Sequence, residues 1–341
     1  ELRSLCSRRS SWLKPRLSAM ILVIGEALID LIGHEGSSQG YNPVVGGANA
    51  NVAMALARAD VPHRFLARIS GDSFGHKIRG HLESYNVELS LSVAAEEQTT
   101  LAIATIDSAG VANYSFYING TADWAWEPKE LPTIEAVNQL GAKAVQFGCL
   151  TAAIEPGSGV LADWLATLSA SRQITLSHDL NIRPSLGFER TVELDRVLAL
   201  NKASHIIKAS DADIEWLFDL EAGADLTNIA EQWTRGGKVL IVTRGGDGVL
   251  VYRNDQVIEV PAQEIMLVDT VGAGDTFMAN FLAKLSDLDA LGSEPVAKLN
   301  ELTPDEMRSA AEYATAAAAI VCERVGCQPP TRAEVEARLQ A

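Results

Sequence analysis

The segment VDTVGAGDTFMANFLAKL, residues 268–285, combines residue types that could bind an anion. We predict that an apolar strand ends at Asp269 and that a helix follows the glycines, because apolar residues recur there at helical spacing. Backbone N–H groups in the first turn of a helix lack partners, and the helix dipole is positive there. Gly272 and Gly274 would therefore lie beside a bound phosphate or a developing negative charge.

Asp275 follows the two glycines directly and would face the same anion. A carboxylate at this position has two interpretations. It complements the helix dipole, as acidic residues in a first turn commonly do, or it acts as a base on a hydroxyl that attacks the bound phosphate. The residues of this segment by themselves support both interpretations equally.

The same segment does not meet the requirements of a dinucleotide-binding loop. The G-x-G-x-x-G pattern needs a third glycine for close packing of helix on strand, and Phe277 occupies that position. The chain also contains no G-x-x-x-x-G-K-[ST] loop, no H-E-x-x-H zinc motif and no G-x-S-x-G nucleophile motif. These absences disfavour NAD-dependent dehydrogenases, P-loop enzymes, and hydrolases of the zinc and serine types.

The composition is that of a globular protein with an acidic surface. The 341 residues are 47% apolar and 21% charged, and 28 Lys and Arg against 44 Asp and Glu give a net charge of −16. An acidic field repels a nucleic-acid backbone and gains little from an anionic membrane, so we expect neither partner. The cysteines form neither a disulfide framework nor a C-x-x-C pair, which favours a reducing, cytoplasmic location.

Residues 1–19 differ from the rest of the chain. Five basic residues oppose a single acid, Glu1, and no apolar stretch of the length of a secretory signal interrupts them. We predict a disordered basic extension that lies outside the fold, with a transit-like leader as the alternative. Elsewhere no apolar run reaches the roughly 18 residues that a membrane span requires.

From Met20 onward, apolar runs alternate with amphipathic stretches. ILVIGEALIDLI (21–32) is predicted to be a strand, and GGANANVAMALARA (46–59) has the spacing of a helix. RFLARIS (64–70) is the next predicted strand, with Asp72 as the N-cap of the helix after it. Further buried strands are predicted at 144–150, 174–180, 205–210 and 239–245. This alternation predicts an α/β fold, a doubly wound, mostly parallel sheet with helices on both faces.

One section breaks the alternation. TTLAIATIDSAGVANYSFYIN (99–119) has the pattern of two strands around a turn at Asp107–Gly110, with no helix attached. With the Gly-rich turn at 33–44, it predicts a small β-sheet. This sheet, formed from about 33–44 and 94–123, would project as a lid from a single domain of residues 20–341.

Two long motifs resemble those of ribokinase-like (PfkB-type) carbohydrate kinases, and most of all those of fructokinases. They are GGANANVAMALARADVPHRFLARISGDSFG (46–75) and DTVGAGDTFMANFL (269–282), and the resemblance extends from about Met20 to Pro330 in the family's order and spacing. It implies the ribokinase-like fold and an ATP-dependent kinase that phosphorylates a sugar hydroxyl.

The resemblance assigns roles to individual residues. Asp275 would be the catalytic base that accepts the proton of the sugar hydroxyl, and Arg183 of DLNIRP (179–184) would contact the transferred phosphate. The anion hole would be formed by the backbone of Gly272, Ala273 and Gly274. The residues expected to contact the sugar are Asp30, Gly46, Gly47, Asn51, Asp179 and Asn181.

The resemblance also implies a nucleotide site and two cation sites. ATP would lie beside Lys208, Ser210, Thr243, Gly245 and Gly248, the last three in a T-x-G-x-x-G loop. Mg²⁺ would be carried mainly by phosphates and waters. This chain has Ser210 and Asp213 where many relatives have N-x-x-E, so Asp213 would contact Mg²⁺ only through water. A K⁺ site built largely from carbonyl groups, as in several relatives, would involve Asp269, Val271, Val321, Arg324 and Gly326.

The resemblance favours a neutral ketohexose as the acceptor. Fructokinase and ketodeoxygluconate kinase relatives often carry F-Y-R on the lid, whereas this chain has Phe116, Tyr117 and Ile118, which removes the partner of a substrate carboxylate. Fructose phosphorylated at O6 is the first expectation, and 2-keto-3-deoxygluconate and ribose are the alternatives. A nucleoside kinase and a sugar-binding regulator without catalytic activity are more remote ones.

Two further expectations concern mechanism and assembly. Near a helix N-terminus Asp275 should remain ionised and collect the proton late in the reaction, while the lid closes over the sugar and excludes water. An apolar hairpin such as TLAIATI (100–106) leaves an exposed face unless something covers it. Relatives often cover it with a second subunit, so we expect a homodimer that pairs lid to lid.

Overall fold

The computed structural model describes residues 19–34, 40–106 and 112–340. The extension predicted at 1–19 lies outside these residues except for Ala19, whose N–H donates to Ser286 Oγ at 2.7 Å. The turn predicted at 107–110 also lies outside them.

The elements of the described residues alternate much as predicted. The strands are β1 (Met20–Ile24), β2 (Leu28–His34), β3 (Asn42–Gly46), β4 (His63–Leu66), β5 (Arg68–Ser70), β6 (Val93–Ala95), β7 (Leu101–Ile106), β8 (Ala112–Tyr117), β9 (Ala142–Gly148), β10 (Thr175–Asp179), β11 (Ile206–Ser210), β12 (Val239–Thr243), β13 (Val249–Arg253) and β14 (Gln256–Val260). The α-helices are α1 (Ala48–Arg58), α2 (Ser73–Ser84), α3 (Ile134–Gln139), α4 (Gly157–Ser171), α5 (Arg190–Ala203), α6 (Asp211–Phe218), α7 (Thr227–Trp233), α8 (Ala273–Asp287), α9 (Pro295–Glu301), α10 (Pro304–Cys322) and α11 (Arg332–Gln340).

The main sheet has eight strands within the described ranges, in the order β14-β13-β12-β11-β10-β9-β1-β4. The strands from β12 to β4 pair in parallel, and β13 and β14 extend the other edge as antiparallel strands. Both faces are covered by helices. In β1, Ile21 and Val23 pack in the cluster that includes α1, α8 and α10, whereas Leu22 and Ile24 pack against α4. Successive side chains of a strand point to opposite faces, so a strand buried throughout requires helices on both sides. The predicted doubly wound α/β fold is confirmed.

A second sheet has the order β3-β2-β7-β8 among the described strands, and we call it the lid sheet. β7 and β8 form the predicted antiparallel hairpin, and β3 pairs antiparallel to β2. The central strand β2 pairs in parallel with β7. The lid sheet therefore also contains residues 28–32, which we had predicted as a continuation of the first strand of the main sheet.

Two predicted strands are wrong because the chain changes sheets within them. The apolar run 21–32 divides at 25–27, where β1 ends in the main sheet and β2 begins in the lid sheet. RFLARIS likewise divides at Ala67, and β5 leaves the main sheet to pair with β6. Apolar periodicity reports burial, and these residues are buried on both sides of each division, so the pattern contains no signal for the change of sheet.

The strand predicted to end at Asp269 is also wrong. Residues 261–270 form no strand or helix, and Met266 is 84% exposed. The N–H groups of Val268 and Asp269 both donate to Cys322 O, at 2.9 and 3.2 Å, so this segment is held by the end of α10 rather than by a sheet. An apolar run does not show whether a neighbouring strand is available for pairing.

The parallel strands end at one edge of the main sheet, which is where open α/β sheets bind ligands. Asp179, Ser210 and Thr243 are the last residues of β10, β11 and β12. Within the described ranges, no helix is both long enough and apolar enough to cross a membrane.

Candidate active site

The N-terminus of α8 presents backbone donors to a cavity. Gly272 is the N-cap residue, with φ of 77°, and Asp275 lies in the first turn. In the described residues the N–H groups of Gly272, Gly274 and Asp275 have no hydrogen-bond partner, whereas that of Ala273 donates to Thr270 O at 3.2 Å. Unpaired donors at the positive end of a 15-residue helix can bind an anionic oxygen.

Other side chains lie close to the backbone of both glycines, and Gly272 has no room for a Cβ. A Cβ on Gly272 would lie 2.3 Å from Cys327 Sγ, and the positive φ is a second reason for glycine. A Cβ on Gly274 would lie 3.1 Å from Lys208 Nζ. The glycines thus allow a thiol and an ammonium group to approach the helix start.

Asp275 is 8% exposed, and its Oδ2 accepts a hydrogen bond from Asn51 Nδ2 at 2.8 Å. Asn51 lies in the first turn of α1, so the two motifs of the sequence meet here. Burial, followed by repulsion from Asp179, raises the pKa of Asp275 to about 7. We expect this carboxyl to remain ionised beside a helix N-terminus, but a pKa of about 7 leaves it only partly ionised at neutral pH, because loss of hydration outweighs the dipole.

Lys208 and Asp179 form a buried ion pair beside this carboxyl, with Nζ donating to Asp179 Oδ2 at 2.7 Å. Burial opposes the charged lysine, but the carboxylates of Asp179, Asp275 and Asp213 together raise its pKa. Lys208 lines the cavity, whereas Asp179 lies behind it and does not. The structure therefore does not place Asp179 where the sugar contact predicted for it would be made.

Arg183 and Asp30 lie on opposite walls of the cavity. The Arg183 guanidinium donates to the carbonyl groups of Asn181 and Ile182, at 3.3 and 3.0 Å, and it is exposed to solvent. Burial raises the pKa of Asp30 to about 6, and the positive charge of Arg183 partly opposes this shift. Asn181 has φ of 45° and also lines the cavity.

Gly46 and Gly47 form the turn between β3 and α1. A Cβ on Gly46 would lie 2.1 Å from Asp30 Oδ2. Gly47 has φ of 113°, and its Cβ would lie 2.5 Å from Glu26 O. The absence of side chains at the two glycines therefore lets the chain pass directly against the Asp30 carboxylate and against the backbone at Glu26.

These groups share one cavity of about 1220 Å³ between the lid sheet and the carboxyl edge of the main sheet. Side chains of β2, β3, β7 and β8 form one wall, and the turn into α1, the DLNIRP segment and the start of α8 form the other. This volume exceeds the roughly 300–1,000 Å³ of a typical single-ligand pocket. It can accommodate a small polar molecule and the phosphate chain of a second one.

The residues predicted to bind the nucleotide lie along the adjoining sheet edge, outside the lining of this cavity except for Lys208. Ser210 Oγ accepts from Asp213 N and caps α6. Thr243 ends β12, and the turn that follows contains Gly245 and Gly248, with φ of 51° and 88°. A Cβ on Gly248 would lie 2.2 Å from Val260 O, whereas Gly245 has nothing within 4 Å of its Cβ position.

The predicted cation residues have specific contacts. Asp269 Oδ1 accepts from Val271 N at 3.0 Å and Oδ2 accepts from Gly326 N at 2.8 Å, which joins the approach to α8 to the turn after α10. Val321 O accepts from Arg324 N at 3.1 Å in that turn. Asp213 accepts from Ile182 N and Ser210 N, one bond on each oxygen. The described residues contain no cluster of three or more His, Cys, Asp or Glu that could hold a metal ion.

Sequence reasoning missed several residues of the cavity wall. Glu26, Cys149, Leu150 and Cys327 all line it. Glu26 did carry a signal, because it is the one ionisable residue before Asp30 in an apolar run. The two cysteines carried none, since nothing in their neighbours relates them to the start of α8.

Comparisons with known proteins agree with the fold. The profile of pfkB family carbohydrate kinases matches residues 18–334. A fructokinase of Rhizobium leguminosarum bv. trifolii is 34% identical over 285 residues, which are 83% of this chain and 84% of that protein.

Two solved structures share the fold. A fructokinase of Xylella fastidiosa with bound ATP has a TM-score of 0.83 and 24% identity, covering 94% of this chain and 98% of its own. A fructokinase of Vibrio cholerae O395 in a fructose, ADP and calcium ion bound form has a TM-score of 0.77 and 21% identity, covering 95% of this chain and 100% of its own.

Proposed function

The chain belongs to the pfkB family of carbohydrate kinases, and we propose that it transfers the γ-phosphate of ATP to O6 of fructose. The products are fructose 6-phosphate and ADP. One observation carries the proposal: a single cavity contains the buried carboxyl of Asp275, the unpaired N–H groups at the start of α8, and Asp30 on the lid sheet. A base, an anion site and a group that binds hydroxyls are what phosphoryl transfer to a sugar requires.

In the proposed mechanism Asp275 accepts the proton of the attacking hydroxyl. Asn51 donates to its Oδ2 and thereby orients the carboxylate. The N–H groups of Gly272 and Gly274 stabilise the charge that spreads over the phosphoryl oxygens, because they already point to that position before the reaction. Arg183 would exchange the two carbonyl groups that it now contacts for the transferred phosphate.

The cavity favours a neutral acceptor over an acid sugar. Lys208 is already neutralised by Asp179, so among the described lining residues Arg183 is the cation that would remain for a second anion besides ATP. Ile118 packs in an apolar cluster with Leu28 and Trp124 instead of supplying a charge from the lid. A carboxylate buried without a partner costs several kcal/mol. The relative of 34% identity is also a fructokinase.

ATP is proposed to lie along the edge formed by Ser210, Thr243 and the Gly245–Gly248 turn, with its phosphates reaching Lys208. Mg²⁺ would neutralise the phosphate oxygens, held by them and by water. Asp213, whose two oxygens each accept an N–H, would contact it only through water.

We also propose that K⁺ binds among the carbonyl groups near Asp269 and Gly326 and stiffens the start of α8. The contacts between these two segments support this proposal. Equal rates in K⁺-free buffer and in K⁺ at matched ionic strength would contradict it. The acidic composition and the scarcity of cysteine favour a cytoplasmic location for the enzyme.

The proposed function is tested by a coupled ADP-release assay with fructose, ribose, tagatose, 2-keto-3-deoxygluconate and adenosine, with Mg²⁺ and K⁺ present. We expect the highest kcat/KM with fructose. If kcat/KM for the acid sugar or for adenosine exceeded that for fructose tenfold or more, fructose would be the wrong substrate, but the kinase activity would be supported. Absence of ADP release with every acceptor would support a regulator that binds sugar without catalysis.

A further inference from the structure

Glu26 is a carboxylate held entirely by hydrogen bonds from uncharged donors. Its residue is 1% exposed, and no Lys, Arg or His of the described chain forms an ion pair with it. Oε1 accepts from Ala48 N at 2.9 Å. Oε2 accepts from Asn49 Nδ2 at 3.2 Å, from Thr151 N at 3.3 Å and from Thr151 Oγ at 2.7 Å. Three of these four donors bond to Oε2 and one bonds to Oε1, so the protein itself already uses most of the acceptor capacity of Glu26.

The donors belong to two other segments of the chain, and their hydrogen bonds connect both segments to the one that contains Glu26. Glu26 lies at 25–27, where the chain crosses from β1 in the main sheet to β2 in the lid sheet. Ala48 and Asn49 begin α1, and Thr151 lies in the short 3-10 helix Cys149–Ala152 after β9. Glu26 therefore ties the strand that enters the lid to two walls of the cavity.

The start of α1 depends on this carboxylate. Its N-cap residue is Gly47, which has no side chain to cap the helix, and no acidic residue lies in its first turn. Glu26 supplies, from the connection between β1 and β2, the negative charge and the acceptor that this end requires. Gly25 has no room for a side chain here, because a Cβ on it would lie 2.2 Å from Asn49 Nδ2, which also donates to Gly148 O at 3.1 Å.

The residues held by Glu26 stand next to those that meet the reactants. Asn51 is two positions beyond Asn49 and donates to the carboxyl of Asp275. Cys149 and Leu150 immediately precede Thr151 and line the cavity. On the basis of the proposed function, we infer that Glu26 is a positioning residue. It holds the start of α1 and the turn after β9 in register, and so aligns the sugar and the base without touching either.

The test compares Glu26→Gln with a matched control. The amide NH2 of glutamine cannot accept a hydrogen bond, so at least one buried donor loses its partner. A displacement of about 1 Å at a reacting group costs about 100-fold in rate, so we expect kcat/KM for fructose to fall about 10- to 100-fold. The KM for ATP should stay within about twofold of the parent value, because the nucleotide edge makes no contact with this network.

Glu306→Gln is the control, since the Glu306 carboxylate also accepts from an N–H and a hydroxyl, those of Thr303, but at the start of α10 and outside the cavity lining. It should leave kcat and both KM values unchanged even if it lowers the melting temperature. If Glu26 contributed to stability alone, Glu26→Gln would likewise lower the melting temperature and leave kcat and both KM values unchanged. Parent-like kinetics for fructose, or an equal rise in KM for both substrates, would overturn the inference.

A second variant covers the case in which Glu26→Gln does not fold. Thr151→Val removes one hydroxyl donor and keeps the backbone bond, so it should lower kcat/KM for fructose by a smaller factor than Glu26→Gln does. An unchanged kcat/KM would overturn the inference equally. The parent enzyme is assayed first. If it releases no ADP with fructose the proposed substrate fails, and the comparison is then made with the best sugar acceptor of the panel.

Discussion

Asp275 is the proposed base, and its carboxyl is almost completely buried. Its carboxyl accepts one hydrogen bond from Asn51 and is otherwise enclosed near the carboxylate of Asp179, so its pKa rises to about 7. A base with a pKa near the working pH combines a useful ionised fraction with a real tendency to accept a proton. In the proposed mechanism the helix N-terminus supplies donors for the phosphate, while burial determines the strength of the base.

Replacing Asp275 by asparagine should separate catalysis from stability. We expect turnover to fall about 10²- to 10⁴-fold, the usual contribution of a positioned base. The melting temperature should stay the same or rise, because the neutral amide avoids burying a charge. Asp305→Asn in the exposed first turn of α10 is the control for loss of a helix-dipole interaction, and it should have parent-like turnover. Turnover of Asp275→Asn within about threefold of the parent would refute the assignment.

The pH profile should report the same carboxyl. The base must be ionised to accept a proton, and the pKa of Asp275 is raised to about 7, so kcat/KM for fructose should fall as the pH decreases through about 7. Asp30, whose pKa is raised to about 6, could contribute a second step. Asp30→Asn is therefore measured in parallel and should retain the step near 7. A profile that stays flat down to pH 5 would contradict this prediction.

At the scale of elements, the start of α8 depends on what α10 and β11 place beside it. Cys327, in the turn after α10, occupies the space that a Cβ on Gly272 would need, and Lys208 Nζ, on β11, lies 3.1 Å from the Cβ position of Gly274. The free N–H groups of this turn keep their direction only while these contacts fit. The need for glycine at these positions therefore arises from packing against distant segments as well as from local conformation.

Gly272→Ala should disable the anion site without removing any donor atom. The new methyl would lie 2.3 Å from Cys327 Sγ on a residue with φ of 77°, so the turn must shift. We expect a loss of about 10²- to 10³-fold in kcat, the effect of losing one oxyanion-hole donor. Removal of the thiol in the double variant Gly272→Ala, Cys327→Ala should recover part of it.

Gly71→Ala is the control for this prediction, because its φ is not in the left-handed region and nothing lies within 4 Å of its Cβ position. It should have parent-like kinetics. A kcat for Gly272→Ala equal to that of Gly71→Ala would contradict the anion-site role of this turn.

At the scale of the whole molecule, the lid sheet carries large exposed side chains in the part of the chain that the structure describes. Tyr41 and Tyr117 are 50% and 58% exposed there, on or beside the edge strands β3 and β8. Edge strands with exposed apolar side chains are commonly covered by another chain. We retain the proposal that two copies pair through their lids.

The assembly is tested by the mass in solution at micromolar concentration, which should be that of a dimer. Tyr117→Glu should shift the mass toward the monomer, since it places like charges opposite each other in a symmetric contact. Val192→Glu changes a residue that is 63% exposed on α5 and should leave the dimer intact. A monomeric parent at this concentration would refute the proposal.

The sequence by itself determined the class of fold and the local chemistry of the site. Strand and helix periodicity, the N-cap at Asp72 and the glycines before Asp275 are properties of short segments, and they predicted the doubly wound sheet, the lid hairpin and a helix N-terminus facing an anion. The structure confirms the fold. The roles of the site residues stay predictions that the variants above can test.

The tertiary structure decided which distant groups meet and how deeply they are buried. It paired Asn51 with Asp275, 224 residues apart, and placed Asp179 behind Lys208 instead of on the cavity wall. It divided the run 21–32 between two sheets and left Met266 exposed in a segment that has no strand to pair with. The pKa of Asp275 could not be read from its motif, because desolvation is a sum over neighbours from several elements, and a local pattern does not contain them.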